Sequence, residues 1–234
     1  MIKFNLKYLY NQSIFENQFT LYIYKGTKRG LTDMKKNVKK LSAVMLSAFF
    51  ASMQIVSAAG LSDAGIISTM GGYRGMETGV NSATLKFDRN AAVNWDKLNV
   101  HRNETLNFNA INGAKNLTVV NTVSGGQMSH IYGTVNANDG ISKLIISNPS
   151  GMMYDGAHFN TAGDVTLTTQ KLHTYGHIDN NTGVTYYDGF TVDPQDVATS
   201  SITIKDSNFN VGGELKLVAP DMNLVRRSEE RRVG

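Results

Sequence analysis

The sequence predicts an all-β chain wound as a parallel β-helix, and three observations carry that prediction. First, short apolar or alternating runs recur at Leu106-x-Phe108, Leu117-x-Val119, Ile131-x-Gly133-x-Val135, Leu144-x-Ile146, Val165-x-Leu167, Ile202-x-Ile204 and Leu215-x-Leu217. This is the period-two signature of strands, and no window after Ala91 sustains a helical period. Second, Asn-Gly or Asp-Gly turns stand between the runs, at Asn112-Gly113, Asp139-Gly140, Asp155-Gly156 and Asp188-Gly189. Third, residues 157–169 align without gaps on 207–219, with Phe159/Phe209, Asn160/Asn210, Gly163/Gly213 and Leu167/Leu217 identical. A further Phe-Asn pair at Phe108-Asn109 gives spacings of 51 and 50 residues, which suit two solenoid coils of roughly 20–25 residues each. In a solenoid a side chain stacks on its counterpart one coil away, whereas a sandwich would need no such echo. Phe108, Phe159, Phe209, Leu167 and Leu217 are therefore expected to stack inside, with the Asn residues forming an amide ladder at a corner.

Taken in order, the chain starts with a stretch that does not look like part of the fold. Residues 1–33 are rich in Tyr, Phe, Asn and Lys without a clean period and are expected to be an untranslated or disordered leader, with Met34 the true start. Residues 34–59 then read as a signal peptide. Lys35, Lys36, Lys39 and Lys40 form the positive flank, Leu41 to Val56 the apolar core, and Ser57-Ala58-Ala59 the small-residue cleavage site. As a membrane anchor, a core of 16 residues that includes Ser42, Ser47, Ser52 and Gln54 is short and polar.

Charge divides along the same boundary. Residues 1–59 hold nine Lys/Arg against two Asp/Glu, and residues 60–225 hold ten against fifteen, a net −5. The pI of about 9.1 thus belongs to the leader, and with no basic stripe after it a nucleic-acid partner is not expected. The chain has no cysteine, although an exported chain of this length could have used disulfides in an oxidising compartment.

Residues 60–89 are Gly-rich and weakly patterned and are read as an extended N-terminal capping segment, after which the strand pattern begins. Residues 170–200 interrupt the repeat; Thr185 to Val192, with Asp188-Gly189 at its centre, is read as an extra-helical β-hairpin projecting from the coils. Residues 226–234 carry six charges in nine positions and are read as a non-native tail. The β-helical domain is thus assigned to 60–225, as the N-terminal fragment of a larger protein.

Candidate chemistry is sparse. His173-x-x-x-His177 with Asp179 has the spacing of a metal motif, but it lies in a loop-rich stretch without a helical period. Asp139, Asp155 and Asp188 each precede Gly, so turn formation accounts for them, and neither a phosphate loop nor a Gly-x-Ser-x-Gly elbow occurs. No catalytic residue, metal or cofactor is expected. The strongly specified stretch is Leu144 to Gly163, where Asn148-Pro149-Ser150-Gly151 joins two strand-like runs. The Asn can cap its own turn, the Pro fixes φ and the Gly is free to take φ > 0.

The order Leu-x-Ile-x-Asn-Pro-x-Gly, then Gly-Ala, then Asn-Thr resembles the N-terminal secretion domain of two-partner-secretion exoproteins, the filamentous haemagglutinin and high-molecular-weight adhesin family. Trp95 with Leu98-Asn99-Val100, then Glu104, Asn121-Thr122-Val123, Ser129-x-Ile131-x-Gly133 and Ala137-Asn138 continue the series in order. Thr122 stands where that family usually has Arg, and Ser150 where it usually has Asn. The resemblance spans about 93–169. It implies a right-handed β-helix and a non-enzymatic role, secretion targeting and folding nucleation for an adhesin- or haemagglutinin-like exoprotein. The partner would be an outer-membrane β-barrel transporter with periplasmic recognition domains, which would read the Asn148, Pro149, Ser150, Gly151 turn. Trp95, Asn99, Asn121, Ser129, Gly133 and Asn138 would support it. The product would be secreted or held at the cell surface, and a host-cell or matrix target would be bound through the C-terminal part missing here. The alternatives are a β-helix enzyme acting on polysaccharide and a surface-anchored structural module.

Overall fold

The computed structural model describes residues 60–225 together with three short strands before them, β1 (Tyr8–Tyr10), β2 (Ser13–Phe15) and β3 (Val56–Ser57). Most of the leader and signal-peptide assignments, and the tail 226–234, lie outside the described residues. β1 and β2 form a small antiparallel ladder in the first of two compact units, Met1–Gln54. The second unit, Ile55–Gly234, holds the repeat.

Its described residues contain strands and turns and no helix. β4 (Ala64–Gly79) and β5 (Ser82–Leu98) make a long antiparallel pair around Val80-Asn81, with Asn81 at φ 54°. From β5 onward every coil-to-coil pairing is parallel, and three ladders emerge. On the first face β6 (Thr105–Ala110) pairs with the start of β5, followed by β9 (Thr134–Ala137), β12 (His158–Thr161) and β17 (Asn208–Val211). On the second face β7 (Leu117–Val123) pairs with the later part of β5, followed by β10 (Ile141–Ser147), β13 (Asp164–Thr168) and β18 (Leu215–Val218). The third face runs β8 (Ser129–Ile131), β11 (Met152–Asp155), β16 (Ser201–Lys205), β19 (Asp221–Val225). Val100 bridges to Ile131 as the first coil's contribution to that face. The fold is a parallel β-helix, and each alternating run read from the sequence lies within one of its strands except Ile131-x-Gly133-x-Val135, which Gly133 divides at a corner between β8 and β9.

Alternation decides which side chains turn inward. On the first face Ala83, Leu106, Val135, Phe159 and Phe209 occupy one column, and on the second Val93, Asn121, Ile146, Leu167 and Leu217 occupy another. Phe159 and Phe209 stack with ring centroids 4.7 Å apart, as the repeat predicts. Phe108 does not join them. It stands in the adjacent column, level with Leu85, Ala137 and Thr161, and stacks on Phe87 at 6.3 Å. The 51-residue spacing misleads because the coils differ in length, Thr105 to Thr134 being 29 residues and Thr134 to His158 being 24. The two-residue offset keeps Phe108 inside but moves it one position along. For the same reason the amide ladder is built from Asn107 rather than Asn109. Asn136 donates to Asn107 at 2.8 Å and Asn160 donates to Asn136 at 3.2 Å, along the outer side of the strands rather than at a corner.

The 50-residue echo is one enlarged coil. Between β13 and β16 the chain inserts β14 (His173–Ile178) and β15 (Thr185–Thr191), an antiparallel pair. Two expectations are corrected here. Asp188-Gly189 lies inside β15 opposite Tyr175 rather than at the turn, which is made by 179–184. A Cβ on Gly189 would come within 3.0–3.5 Å of the Tyr175 ring and hydroxyl, so the glycine leaves room for a cross-strand aromatic. The hairpin also lies over the second face instead of projecting. Leu172, Tyr187 and Met70 pack on the outward-facing Ala92, Val120 and Ile145. Unbroken apolar triplets such as Leu144-Ile145-Ile146 mark strands buried on both faces.

β4 covers the edge of the first coil, so the expected cap is shorter than 60–89: residues 82–89 already belong to β5, which pairs with β6 as part of that coil. Burial begins to loosen in the fourth coil, where Ile204 is only partly covered, and falls away in the fifth. On the third face Met152 and Ile202 are fully buried, whereas Met222, next in that column, is 48% exposed, and Leu224, which follows Tyr154 and Ile204, is 68% exposed.

Candidate functional site

The Asn148–Gly151 turn links the second face to the third in the third coil. Asn148 is 1% exposed, and the fold satisfies its backbone and side chain. Its N–H donates to Thr168 O at 3.0 Å and its C=O accepts from Gly151 N at 3.0 Å. The amide nitrogen donates to Gln127 O and to Ser129 Oγ, both at 2.9 Å, and Oδ1 accepts from Ser150 N at 2.9 Å. The last bond closes the Asx turn that the residue types predict. Gly151 sits at φ 101°, a conformation strained for an L side chain, and a Cβ there would meet Ser201 O at 3.1 Å. Its carbonyl accepts from Ser129 N at 3.1 Å. One side chain thus ties the second coil to the third, with the backbone reaching the fourth, while Pro149 and Ser150 remain half-exposed.

Ser129 and Asn99 gather around the same strand, β8. Ser129 is fully buried as the Asn148 acceptor. Asn99 accepts from His130 N at 2.7 Å and donates to Asp63 at 2.6 Å. Trp95 and Asn121 lie deeper: the indole N–H donates to Asn121 Oδ1 at 3.0 Å, and Asn121 donates to Ile145 O at 3.2 Å. An inward amide in an apolar column costs free energy unless bonded, and Trp95 supplies the donor it needs. Gly133 and Asn138 sit at other corners, away from the turn. A Cβ on Gly133 would lie 2.2 Å from His101 O and 2.3 Å from Glu104 O. Asn138 accepts from Ala110 N at 2.9 Å and donates to Ala110 O at 3.0 Å, standing in for a strand partner.

Two carboxylates complete the neighbourhood, Asp63, which carried no signal in the sequence, and Glu104, which belongs to the series that carries the resemblance. Asp63 gives its carboxylate and carbonyl to Asn99 across 36 residues. Glu104, buried, accepts from Ser62 N at 2.7 Å and His101 N at 2.9 Å. Burial works against its ionisation, but hydrogen bonds from Ser62 and His101, with the His101 charge, outweigh it and hold the carboxyl below its ordinary value. Tyr154, next to the turn on β11, is wholly buried, which pushes its phenol up; its hydroxyl donates to Met152 Sδ at 3.1 Å. Such an arrangement fixes backbone and excludes water, and it presents no nucleophile beside a base. The histidines of the metal-like spacing face carboxylates singly, His173 with Asp196 at 2.5 Å and His177 with Asp188 at 2.7 Å, and no group of three potential metal ligands occurs among the described residues.

A sequence profile of the TPS secretion domain, the domain of two-partner secretion, matches residues 76–232. The chain belongs to the TPS secretion-domain family. No curated protein matches it. Among solved structures, the crystal structure of the HMW1 secretion domain from Haemophilus influenzae is similar, with 21% identity and a TM-score of 0.45, over 67% of this chain and 37% of that one. This chain therefore spans about a third of that structure's length. A TPS secretion domain is a targeting module for proteins secreted through the outer membrane and engages an outer-membrane transporter. The β-helix described above is this chain's form of it.

Proposed function

We propose that residues 34–59 export the chain as a cleaved signal peptide, and that periplasmic domains of a β-barrel transporter then read Asn148, Pro149, Ser150 and Gly151 before the coils close. The observation that carries this reading is the burial of Asn148. Its side chain is spent on Gln127, Ser129 and Ser150 once the β-helix has formed, so direct reading requires a chain still unfolded there. Outside the cell β5, which spans two faces of the first coil, serves as the nucleus. Each further coil buries its Val, Ile, Leu and Phe columns on the last, which makes return unfavourable. A host-cell or matrix target, with adhesin-like activity, belongs to sequence beyond this chain.

The test is secretion of the full chain in cells co-expressing the barrel, comparing Asn148→Ala with Phe159→Leu. Both weaken the folded domain, but only the first alters the turn. Transporter-dependent release of the parent and of Phe159→Leu, with Asn148→Ala retained, is the expected outcome. Normal release of Asn148→Ala, or equal retention of both variants, would remove the turn from recognition.

A further inference from the structure

The overlying hairpin and the outer side of the second face enclose a groove of about 600 Å³. We propose that this groove binds a neutral linear oligosaccharide.

Its two walls differ in chemistry. The hairpin contributes Tyr175 and Phe190, which line the groove while remaining 47% and 38% exposed. Tyr175 is set in place across Gly189. The floor is polar and crosses three coils. Lys143 stands beside Asp164, and Thr166 beside Lys216, in the parallel registers of β10 with β13 and β13 with β18. Lys143, Lys216 and Glu214 line the groove and make no ion pair among the described residues. The Thr166 hydroxyl makes no hydrogen bond there either, so donors and acceptors stand open toward the groove.

That combination selects the ligand class. On the floor two lysines face two carboxylates, Asp164 and Glu214, and the hairpin adds Asp188, held by His177, so the groove has no net positive charge to favour a nucleic acid or another polyanion. A polar floor gives an apolar peptide helix nothing to bury. A sugar chain offers both what the roof and the floor require, C–H faces to lie on aromatic rings and hydroxyls to bond ammonium, carboxylate and threonine groups. Strands about 4.8 Å apart repeat the floor groups at a step comparable to one hexose unit, which suits a polymer running along the helix axis. Binding here is independent of the transporter reading, because the groove lies outside the corner that holds Asn148.

The experiment is calorimetric titration of the refolded full chain with N-acetylglucosamine hexasaccharide and, separately, with maltohexaose, which distinguishes acetamido sugars from plain hexoses. Saturable binding of at least one probe is expected, with a dissociation constant of about 1 mM or tighter. Tyr175→Ala and Phe190→Ala should each weaken it about tenfold, an aromatic contact's worth, and Lys143→Met should weaken it less. Circular dichroism of all three variants should match the parent, and transporter-dependent secretion of Tyr175→Ala should be normal, separating this result from any failure of the addressing role. Absence of binding by either probe at about 10 mM, where even a weak site fills, would overturn the proposal. So would binding that Tyr175→Ala and Phe190→Ala leave unchanged.

Discussion

The corner between the second and third faces is built in two ways in successive coils. In the third coil it is four residues, Asn148 to Gly151, with a buried amide bonded to three neighbours. In the fourth it is the whole stretch 169–200, folded as a hairpin whose polar contacts are exposed pairs such as His177 with Asp188. Yet β16 returns to pair with β11 in unbroken register, Met152 with Ile202 and Tyr154 with Ile204. Register in this fold therefore resides in the inward columns and not in corner length. A tight corner has a different task, the satisfaction of buried polar groups where the chain has no room for anything else.

Substitutions at the two corners should break or sharpen that contrast. Asn148→Ala removes three hydrogen bonds, one of them to the buried Ser129 hydroxyl, and at about 1 kcal/mol each a loss of about 3 kcal/mol in urea unfolding is expected. Replacing 171–199 by a short Gly-Ser turn should cost less, about 2 kcal/mol, because it uncovers part of the outer apolar patch of Ala92, Val120 and Ile145 and leaves every inward column intact. If the hairpin variant proved the more damaging, register would depend on the insertion after all. A third corner, between Val100 and β6, depends on a charge. Glu104 is held below its ordinary value, so its contribution is complete above the usual glutamate range and is lost as pH falls toward the folded-state value. Thermal midpoints should accordingly fall on acidification, with a shallower fall in Glu104→Gln. The smallest effect is expected at His177→Ala, where an exposed pair is removed and the thermal midpoint should not move measurably.

The strands were legible in the sequence because period-two alternation is a local property. Leu106, Val119, Leu144, Val165 and Leu217 announce their faces within a few residues. The 157–169 echo of 207–219 was equally readable, since both segments occupy the same places in adjacent coils. Phe108 was misplaced because a repeat count assumes equal coils, and a 29-residue coil beside a 24-residue one shifts a residue within its strand. Asp188-Gly189 carries a turn signal locally. What places it in a strand is Tyr175, which needs the space above Gly189. The turn Asn148 to Gly151 was visible as a turn, but its partners were not. Gln127 and Ser129 lie 21 and 19 residues away and become neighbours only when the coils stack.

The two ends of the stack are finished differently. At the start β4 is itself paired by β3 at Gly65 and Ile66 and carries register shifts at four places along its pairing with β5, and such bulges spoil a strand as a template for addition. The last described coil is regular in all three of its strands, with Leu215, Met222 and Leu224 uncovered. Strand addition is thus resisted at the β4 end, so the stack has a direction: later coils, in chain order, can only continue the three parallel ladders from β17, β18 and β19.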